Sequence, residues 1–279
     1  MIPPAKKDDE LLMDIATARE EKDALHIWWL GQSGFLVEYN GTTVLFDPYL
    51  SDSLTRKYAD TNKPHVRMTD LVVDPAKLTD IDVVTSSHNH TDHLDAETLS
   101  ALFDTNPDMA FVIPEANRAF IADRLQRDAD APIGLNDGRS AKVNGVEFFG
   151  ITAAHNEISR DDHGHSHFLG YIAKIGPWTL YHSGDTLLHD GLEEQLNAFD
   201  IDVAFLPING NLPERRVAGN LDGDEAAQLA HDIGIALVIP CHYGLFEFNT
   251  ARTEPFERAC TKLEQEYEIL ENGERVTLE

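Results

Sequence analysis

The chain of 279 residues is poor in cysteine and in basic residues, and each shortage excludes a class of protein. Its two cysteines, Cys241 and Cys260, are too few for a disulfide framework. Lys and Arg number 22 against 49 Asp and Glu, which gives a formal net charge of −27. Nucleic-acid binders need basic grooves that displace counterions from phosphates, so this charge argues against a nucleic-acid partner.

Long apolar runs and linkers are also absent. No stretch approaches the roughly 20 apolar residues that span a bilayer. Residues 1–21 are charged and lack the apolar core of a signal peptide, so we expect a cytoplasmic location and no membrane partner. No repeat and no Pro/Gly/Ser-rich linker divides the sequence. This predicts a single domain over 25–279, preceded by an N-terminal helical arm over 1–24.

The sequence does contain many short β-rich segments, interrupted by single helical ones. Strands are predicted over 26–30, 35–39 and 42–46, with Asn40-Gly41 as a two-residue hairpin turn. Helices are predicted over 9–22, 95–103, 115–126, 192–198, 222–233 and 254–266, while the polar segment 51–67 is predicted to be a flap or loop. This order favours a layered α/β sandwich with its helices outside.

The densest group of chemically active side chains follows a predicted strand over 81–85. His88, His90, Asp92 and His93 fall within six residues. Alternate residues of an extended segment point the same way, so His88 and His90 can face one ion. Once the chain curls into a helix, Asp92 and His93 turn toward a second centre. Imidazole and carboxylate suit borderline divalent metals such as zinc, iron and manganese, so the motif predicts a metal site.

Three further residues of the same kinds close predicted strands. They are His155, Asp185 and His242. A lone histidine at a strand end is more often ordinary than a ligand. Together with the motif, however, these residues make a set of potential ligands on loops at strand ends, where functional sites gather. Asp47 stands in the same kind of position, at the tip of the strand over 42–46.

The order His88-x-His90-x-Asp92-His93, then His155, Asp185 and His242, resembles the metallo-β-lactamase fold superfamily over roughly Ile27 to Gly244. The resemblance implies a four-layer αβ/βα sandwich with two divalent ions at one edge of the sheets. The implied first ion is bound by His88, His90 and His155, and the second by Asp92, His93 and His242. Asp185 would bridge the ions, and Asp47 would orient the ligands by hydrogen bonding. Zinc or manganese is expected, and iron fits as well.

Single positions help to choose a branch of this superfamily. Asp185 stands where class B1 lactamases use cysteine, which argues against antibiotic hydrolysis. His90 stands where flavodiiron proteins carry glutamate, which argues against a di-iron oxidoreductase. Trp28-Trp29-Leu30-Gly31 and Tyr181-His182-Ser183-Gly184-Asp185 are similar to the branch of bacterial L-ascorbate-6-phosphate lactonase. That branch tends to use manganese and leaves room for a homo-oligomer.

The expected activity is hydrolysis by a water that two divalent ions activate, with Asp92 orienting the water and relaying a proton. The expected substrate is a small molecule, a lactone of a sugar acid with or without a phosphate group. Two alternatives stay open: a phosphodiesterase of the same superfamily, and a metal-loaded sensor or scaffold without turnover. No Ser-His-Asp arrangement and no phosphate-binding glycine loop is evident.

Candidate substrate contacts are less well marked. Asn209, Arg215 and Arg216 follow a predicted strand end, where an arginine pair could grip phosphate or carboxylate. A solvated loop explains the same residues equally well. His167, with His163 and His165, and Tyr243 beside His242 are further candidates, with an exposed loop and simple packing as the alternatives. The segment over 32–34 is interpreted as hairpin geometry rather than as a catalytic element.

Overall fold

The computed structural model describes all 279 residues, Met1 to Glu279. The strands are β1 (Leu25–Gly31), β2 (Gly34–Tyr39), β3 (Thr42–Phe46), β4 (Val83–Thr85), β5 (Ala110–Pro114), β6 (Ile133–Leu135), β7 (Ser140–Val143), β8 (Val146–Thr152), β9 (Leu169–Ile175), β10 (Trp178–His182), β11 (Val203–Pro207), β12 (Leu237–Cys241) and β13 (Arg275–Leu278). The helices are α1 (Asp9–Ala18), α2 (Ser53–Tyr58), α3 (Ala96–Thr105), α4 (Arg118–Leu125), α5 (Leu192–Leu196), α6 (Gly223–Asp232) and α7 (Glu254–Leu263).

The strands form two sheets, each with an antiparallel part and a parallel part. The first sheet has the order β13-β1-β2-β3-β4-β5-β6, and the second has the order β12-β11-β10-β9-β8-β7. Strands β3 to β6 run parallel to one another, as do β10 to β12. Parallel strands end at the same edge of their sheet. The loops that follow β3, β4, β10 and β12 therefore gather where such sheets commonly place their ligand sites.

Strand β1 shows how one sheet packs on both faces. Leu25, Ile27 and Trp29 belong to a core of 42 buried residues between the sheets and beneath α5 to α7. Trp28 and Leu30, which point the other way, belong to a second core of 21 buried residues beneath α1, α3 and α4. This alternation follows from the two-residue period of a strand. The layers are thus helix, sheet, sheet and helix, and the predicted four-layer α/β sandwich is confirmed.

Some local predictions were incomplete. Helix α1 ends at Ala18, and it packs on the first sheet by burying Leu11 and Ile15. The segment over 51–67, predicted to be irregular, contains helix α2. Strands β6 and β7 were not predicted, because they are only three and four residues long, too short for a hydrophobic alternation to be recognised.

No helix in the chain combines the length and the apolarity needed to cross a membrane.

A capping box defines the start of α6 and yields a stability prediction. The Asp222 carboxylate accepts the Glu225 backbone N–H at 2.9 Å, and the Glu225 carboxylate accepts the Asp222 N–H at 3.0 Å. We expect Asp222→Ala to lower the free energy of unfolding by about 1 kcal/mol in urea denaturation. Asp224→Ala is the matched control, because Asp224 is exposed in the same turn and α6 is capped without it. Equal losses in the two variants would contradict the role of the cap.

Candidate metal centre

Loops from both sheets meet at one edge of the sandwich and bring together the residues that the sequence singled out. His88, His90, Asp92 and His93 follow β4, while His155 follows β8, Asp185 follows β10 and His242 follows β12. The ligand atoms of His88, His90, His155 and Asp185 lie within 4.8 Å of one another. Those of Asp92, His93 and His242 also lie within 4.8 Å of one another. The motif after β4 is thus split between two groups.

The Asp185 carboxylate lies between these two groups. Its Oδ1 is 3.2 Å from His93 Nε2, and its Oδ2 is 3.5 Å from His242 Nε2, both in the second group. The same Oδ2 is 3.5 Å from His155 Nε2 in the first group. One carboxylate therefore faces ligand atoms on both sides, the position expected of a bridging residue.

Unusual backbone conformations hold the ligand loops in place. Gly184 has φ +59°, and a Cβ at this position would lie 2.6 Å from Cβ of Ser87, so the loop before Asp185 passes directly beside the loop before His88. His242 has φ +64°, a conformation that costs a non-glycine residue about 1 kcal/mol. Its backbone N–H donates to the Gln32 carbonyl oxygen at 2.9 Å, which fixes this loop to the β1–β2 turn.

The donor set fits divalent cations. Nε2 of His88, Nε2 of His93 and Oδ1 of Asp185 are buried and make no hydrogen bond of normal geometry. His93 Nε2 and Asp185 Oδ1 lie 3.2 Å from each other, whereas Nε2 of His88 has no hydrogen-bond or ion-pair partner. Burying that nitrogen unpaired costs about 1–3 kcal/mol, which a coordinated cation would offset. Nδ1 of His155 donates to the Gly219 carbonyl oxygen at 2.9 Å, so Nε2 keeps its lone pair for the centre. Imidazole and carboxylate donors together suit zinc, manganese or iron.

The protonation states agree with this fit. Burial lowers the pKa of His88, and it lowers that of His90 to about 4, so both imidazoles are neutral, the form that binds metal. Burial favours the neutral forms of Asp92 and Asp185, but the positive charges of His93 and His242 outweigh it and hold both pKa values well below the usual range.

The carboxylates act on the histidines in return. Burial opposes charge on His242, but Asp185 and Asp92 outweigh it and raise its pKa to about 9. The same carboxylates raise the pKa of His93. The two carboxylates thus retain protons on two imidazoles, and bound cations would take the place of those protons.

Asp47 supports the cluster from behind. Its side chain is fully buried, and its Oδ2 accepts from His93 Nδ1 at 2.8 Å. Its Oδ1 accepts from Thr85 Oγ1 at 2.8 Å and from the Ser87 backbone N–H at 3.0 Å. Burial alone would raise the pKa of this carboxyl, but His182 and His93 hold it below its usual value. Asp47 therefore orients the His93 ring so that Nε2 points into the centre.

Gln32 is a site residue that sequence reasoning missed. Its side-chain Nε2 donates to Asp92 Oδ2 at 2.9 Å and lies 3.2 Å from His242 Nε2. Gln32 does sit in a hairpin turn, with φ +52°, so the interpretation of 32–34 as turn geometry describes its backbone but not its side chain. Asp92 lies 60 residues away in the chain, and no local pattern signals this contact.

A cavity of about 430 Å³ opens above the ligands. His90, Asp92 and Asp185 form part of its floor, together with His155 and His242. One wall comes from the segment over 51–67, through residues such as Lys57, Lys63 and His65. Another comes from α4, through Phe120 and Arg124. The sequence had indicated a flap over 51–67 but gave no sign of a contribution from α4.

The five predicted substrate contacts, Asn209, Arg215, Arg216, His167 and Tyr243, do not line this cavity. Arg215 donates to the carbonyl oxygens of Asn209 at 2.6 Å and Thr250 at 2.9 Å, so its guanidinium ties two loops together. Arg216 is exposed outside the cavity. The arginine pair therefore lies outside the lining of this cavity, and its contact with substrate stays a prediction.

The other candidates have structural partners. Tyr243 donates its hydroxyl to the Leu270 carbonyl oxygen at 2.7 Å and stacks on Trp29. His167 Nδ1 lies 3.1 Å from the Ser159 hydroxyl. Asn209 donates to Asn249 Oδ1 at 3.0 Å and so stands one layer behind the cavity wall. None of these three residues lines the cavity, and a direct contact with substrate stays a prediction for each of them.

Comparison with known proteins identifies the family. A UPF0173 metal-dependent hydrolase of Caldivirga maquilingensis is 28% identical, with 79% of this chain and 83% of that protein aligned. One from Methanopyrus kandleri is 28% identical over 90% of this chain and 98% of its own. The fold is similar to that of Igni18, a metallo hydrolase of Ignicoccus hospitalis, with a TM-score of 0.66 at 23% identity over 92% of this chain and 99% of that one. Residues 26–242 match the family model described as beta-lactamase superfamily domain, and the chain belongs to this family.

Proposed function

We propose that the protein is a metal-dependent hydrolase that binds two divalent ions at the edge of its sandwich. The observation that carries this proposal is the Asp185 carboxylate, which lies between two groups of imidazole and carboxylate ligands on the floor of a cavity of about 430 Å³. The names of the curated relatives, which call them metal-dependent hydrolases, support the same activity.

Each ligand has a place in this proposal. His88, His90 and His155 would hold the first ion, and Asp92, His93 and His242 the second, with Asp185 placed to serve both. Zinc or manganese is the expected metal, and iron fits the same donors. When bound, such ions would lower the pKa of a nucleophilic water and polarise the bond to be cleaved.

Asp92 is the residue proposed to orient the nucleophile and relay its proton. Its Oδ2 is held by Gln32 Nε2 at 2.9 Å, which fixes the carboxylate plane. Its Oδ1 has no hydrogen-bond donor in the chain, and the side chain lines the cavity. A fixed carboxylate with one free oxygen beside the reacting bond is suited to accept a proton and pass it to a leaving group.

We propose a small-molecule lactone of a sugar acid, phosphorylated or not, as the substrate. The cavity volume suits a small molecule, and the sequences over 28–31 and 181–185 resemble the L-ascorbate-6-phosphate lactonase branch. The resemblance to this branch also supports the proposal of a homo-oligomer.

We also propose a cytoplasmic location. Both cysteines are free and buried, which is consistent with it.

Metal content tests the two-ion site. We expect the purified protein to contain about two divalent ions per chain by elemental analysis, since two ligand groups are present. His90→Ala should lose the first ion, and Asp185→Asn should weaken both sites because this carboxylate contacts both groups. His163→Ala is the control, since His163 is exposed and belongs neither to the ligand groups nor to the cavity lining. Unchanged metal content in Asp185→Asn would contradict the bridging role.

A substrate panel tests the reaction. We expect sugar-acid lactones to be hydrolysed, while bis-p-nitrophenyl phosphate is the probe for phosphodiesterase activity. Asp92→Asn should lower kcat by about 10²-fold or more, as the loss of a general acid–base does. If only bis-p-nitrophenyl phosphate is hydrolysed, the proposed lactonase activity is wrong and phosphodiesterase activity takes its place. A fully metal-loaded protein that turns over neither class would favour a sensor or scaffold.

A further inference from the structure

The charges around the cavity have the opposite sign to those of the rest of the protein. Acidic residues outnumber basic ones 49 to 22 in the chain. Among the residues that line the cavity, however, the only carboxylates are Asp92 and Asp185, and both belong to the metal centre. The other charged side chains there are Lys57, Lys63 and Arg124, which together are called the cationic rim.

The two lysines of the rim have no carboxylate partner and retain free donors. Lys57, on α2, donates from Nζ to Thr91 Oγ1 at 3.0 Å. Lys63 donates from Nζ to the carbonyl oxygen of Arg216. An ammonium group has three N–H donors, so each lysine keeps donors for a ligand. Their positive charge is not neutralised by the many acids of the chain.

Arg124 presents an unused recognition edge. Its Nη1 donates to the carbonyl oxygens of Asn89 at 2.9 Å and Leu94 at 3.1 Å, which occupies both hydrogens of that nitrogen. Nε and Nη2 make no hydrogen bond within the chain. These two nitrogens form the fork that binds carboxylate or phosphate through two parallel bonds. The Phe120 ring, whose centroid lies 4.7 Å from the guanidinium carbon, helps to hold this group in place.

The rim is tied to the loop that carries the ligands. Asn89 and Thr91, which bind Arg124 and Lys57, alternate in sequence with His88, His90 and Asp92. Two of the three cations are therefore attached to the ligand loop itself. A molecule that places a reacting bond over Asp92 would bring its neighbouring atoms to the rim.

We propose that the cationic rim binds an oxyanion of the substrate, a phosphate or carboxylate that is separate from the bond being hydrolysed. This inference rests on the proposed hydrolase function and narrows its substrates to anionic lactones. An anion is repelled by the overall charge of −27, so a local group of cations gives it a favoured point of entry.

The charge preference can be measured with three related lactones and the metal-loaded full-length protein. Gluconolactone is neutral, 6-phosphogluconolactone carries a phosphate, and glucarolactone carries a carboxylate. We expect kcat/KM to be about tenfold or more higher for at least one anionic lactone than for the neutral one, because hydrogen bonds to charged groups are lost with the neutral compound. The order of the two anionic lactones identifies which oxyanion the rim prefers.

Variants of the rim connect that preference to particular residues. Lys57→Gln, Lys63→Gln and Arg124→Lys should each lower the ratio of anionic to neutral kcat/KM by about five- to tenfold, mainly through KM. Arg124→Lys keeps the charge and removes the fork. Lys142→Gln is the matched control, because it removes one charge from the exposed edge strand β7 and should leave the ratio unchanged. Equal kcat/KM for all three lactones, or a ratio that none of the rim variants changes, would overturn the proposal.

A binding measurement separates this inference from the hydrolase proposal. Calorimetry measures the affinities of 6-phosphogluconate and gluconate for the metal-loaded wild type and for Lys57→Gln. Lys57 is exposed, so we expect this variant to fold normally, and thermal unfolding checks that it does. If wild type binds 6-phosphogluconate more tightly than gluconate, and this difference is smaller in Lys57→Gln, the cationic rim is supported even when no lactone is hydrolysed. The absence of turnover would then count against the hydrolase proposal alone. If lactones are hydrolysed but 6-phosphogluconate and gluconate bind with equal affinity, the hydrolase proposal stands and oxyanion binding by the cationic rim is wrong.

Discussion

The site depends on one buried carboxylate, that of Asp185, which faces imidazoles from both halves of the molecule. A buried negative charge is costly unless positive charge lies close to it, so the loops that meet here must supply cations or protons. His93 meets this need on one side of Asp185, and its own orientation is set by Asp47 at the tip of β3. The side-chain contacts from Asp47 to His93 and from His93 to Asp185 therefore link the two sheets at the edge where their loops meet.

Much of this could be predicted from the sequence where the information is local. The order of short β-rich segments and single helices indicated a layered sandwich, and the spacing of His88, His90, Asp92 and His93 indicated a divided ligand loop. The strand-end positions of His155, Asp185 and His242 marked them as potential ligands, and the resemblance to the metallo-β-lactamase fold superfamily grouped them with that loop.

Contacts between distant segments could not be predicted in this way. Gln32 reaches Asp92 only because the β1–β2 turn folds over the ligand loop. Arg124 faces the cavity because α4 packs beside that loop, whereas Arg215 is drawn away by carbonyl oxygens of its neighbouring loops. The carbonyl oxygens that bind these two arginines belong to the backbone, which every residue has. The sequence therefore gives no sign of which arginine will be held at the cavity. Strands β6 and β7 escaped prediction because they are too short for a hydrophobic period.

The close approach of Gly184 to Ser87 has a geometric consequence for the whole centre. These two residues stand directly before Asp185 and His88, so their contact limits how near the ligands of one sheet can come to those of the other. With only a hydrogen at Gly184, the loops reach the separation at which one carboxylate spans both groups. A methyl group there would act as a spacer and widen the gap between the sheets at this edge. The distance between the ligands that come from the first sheet and those that come from the second is therefore governed by a residue that contributes no ligand atom.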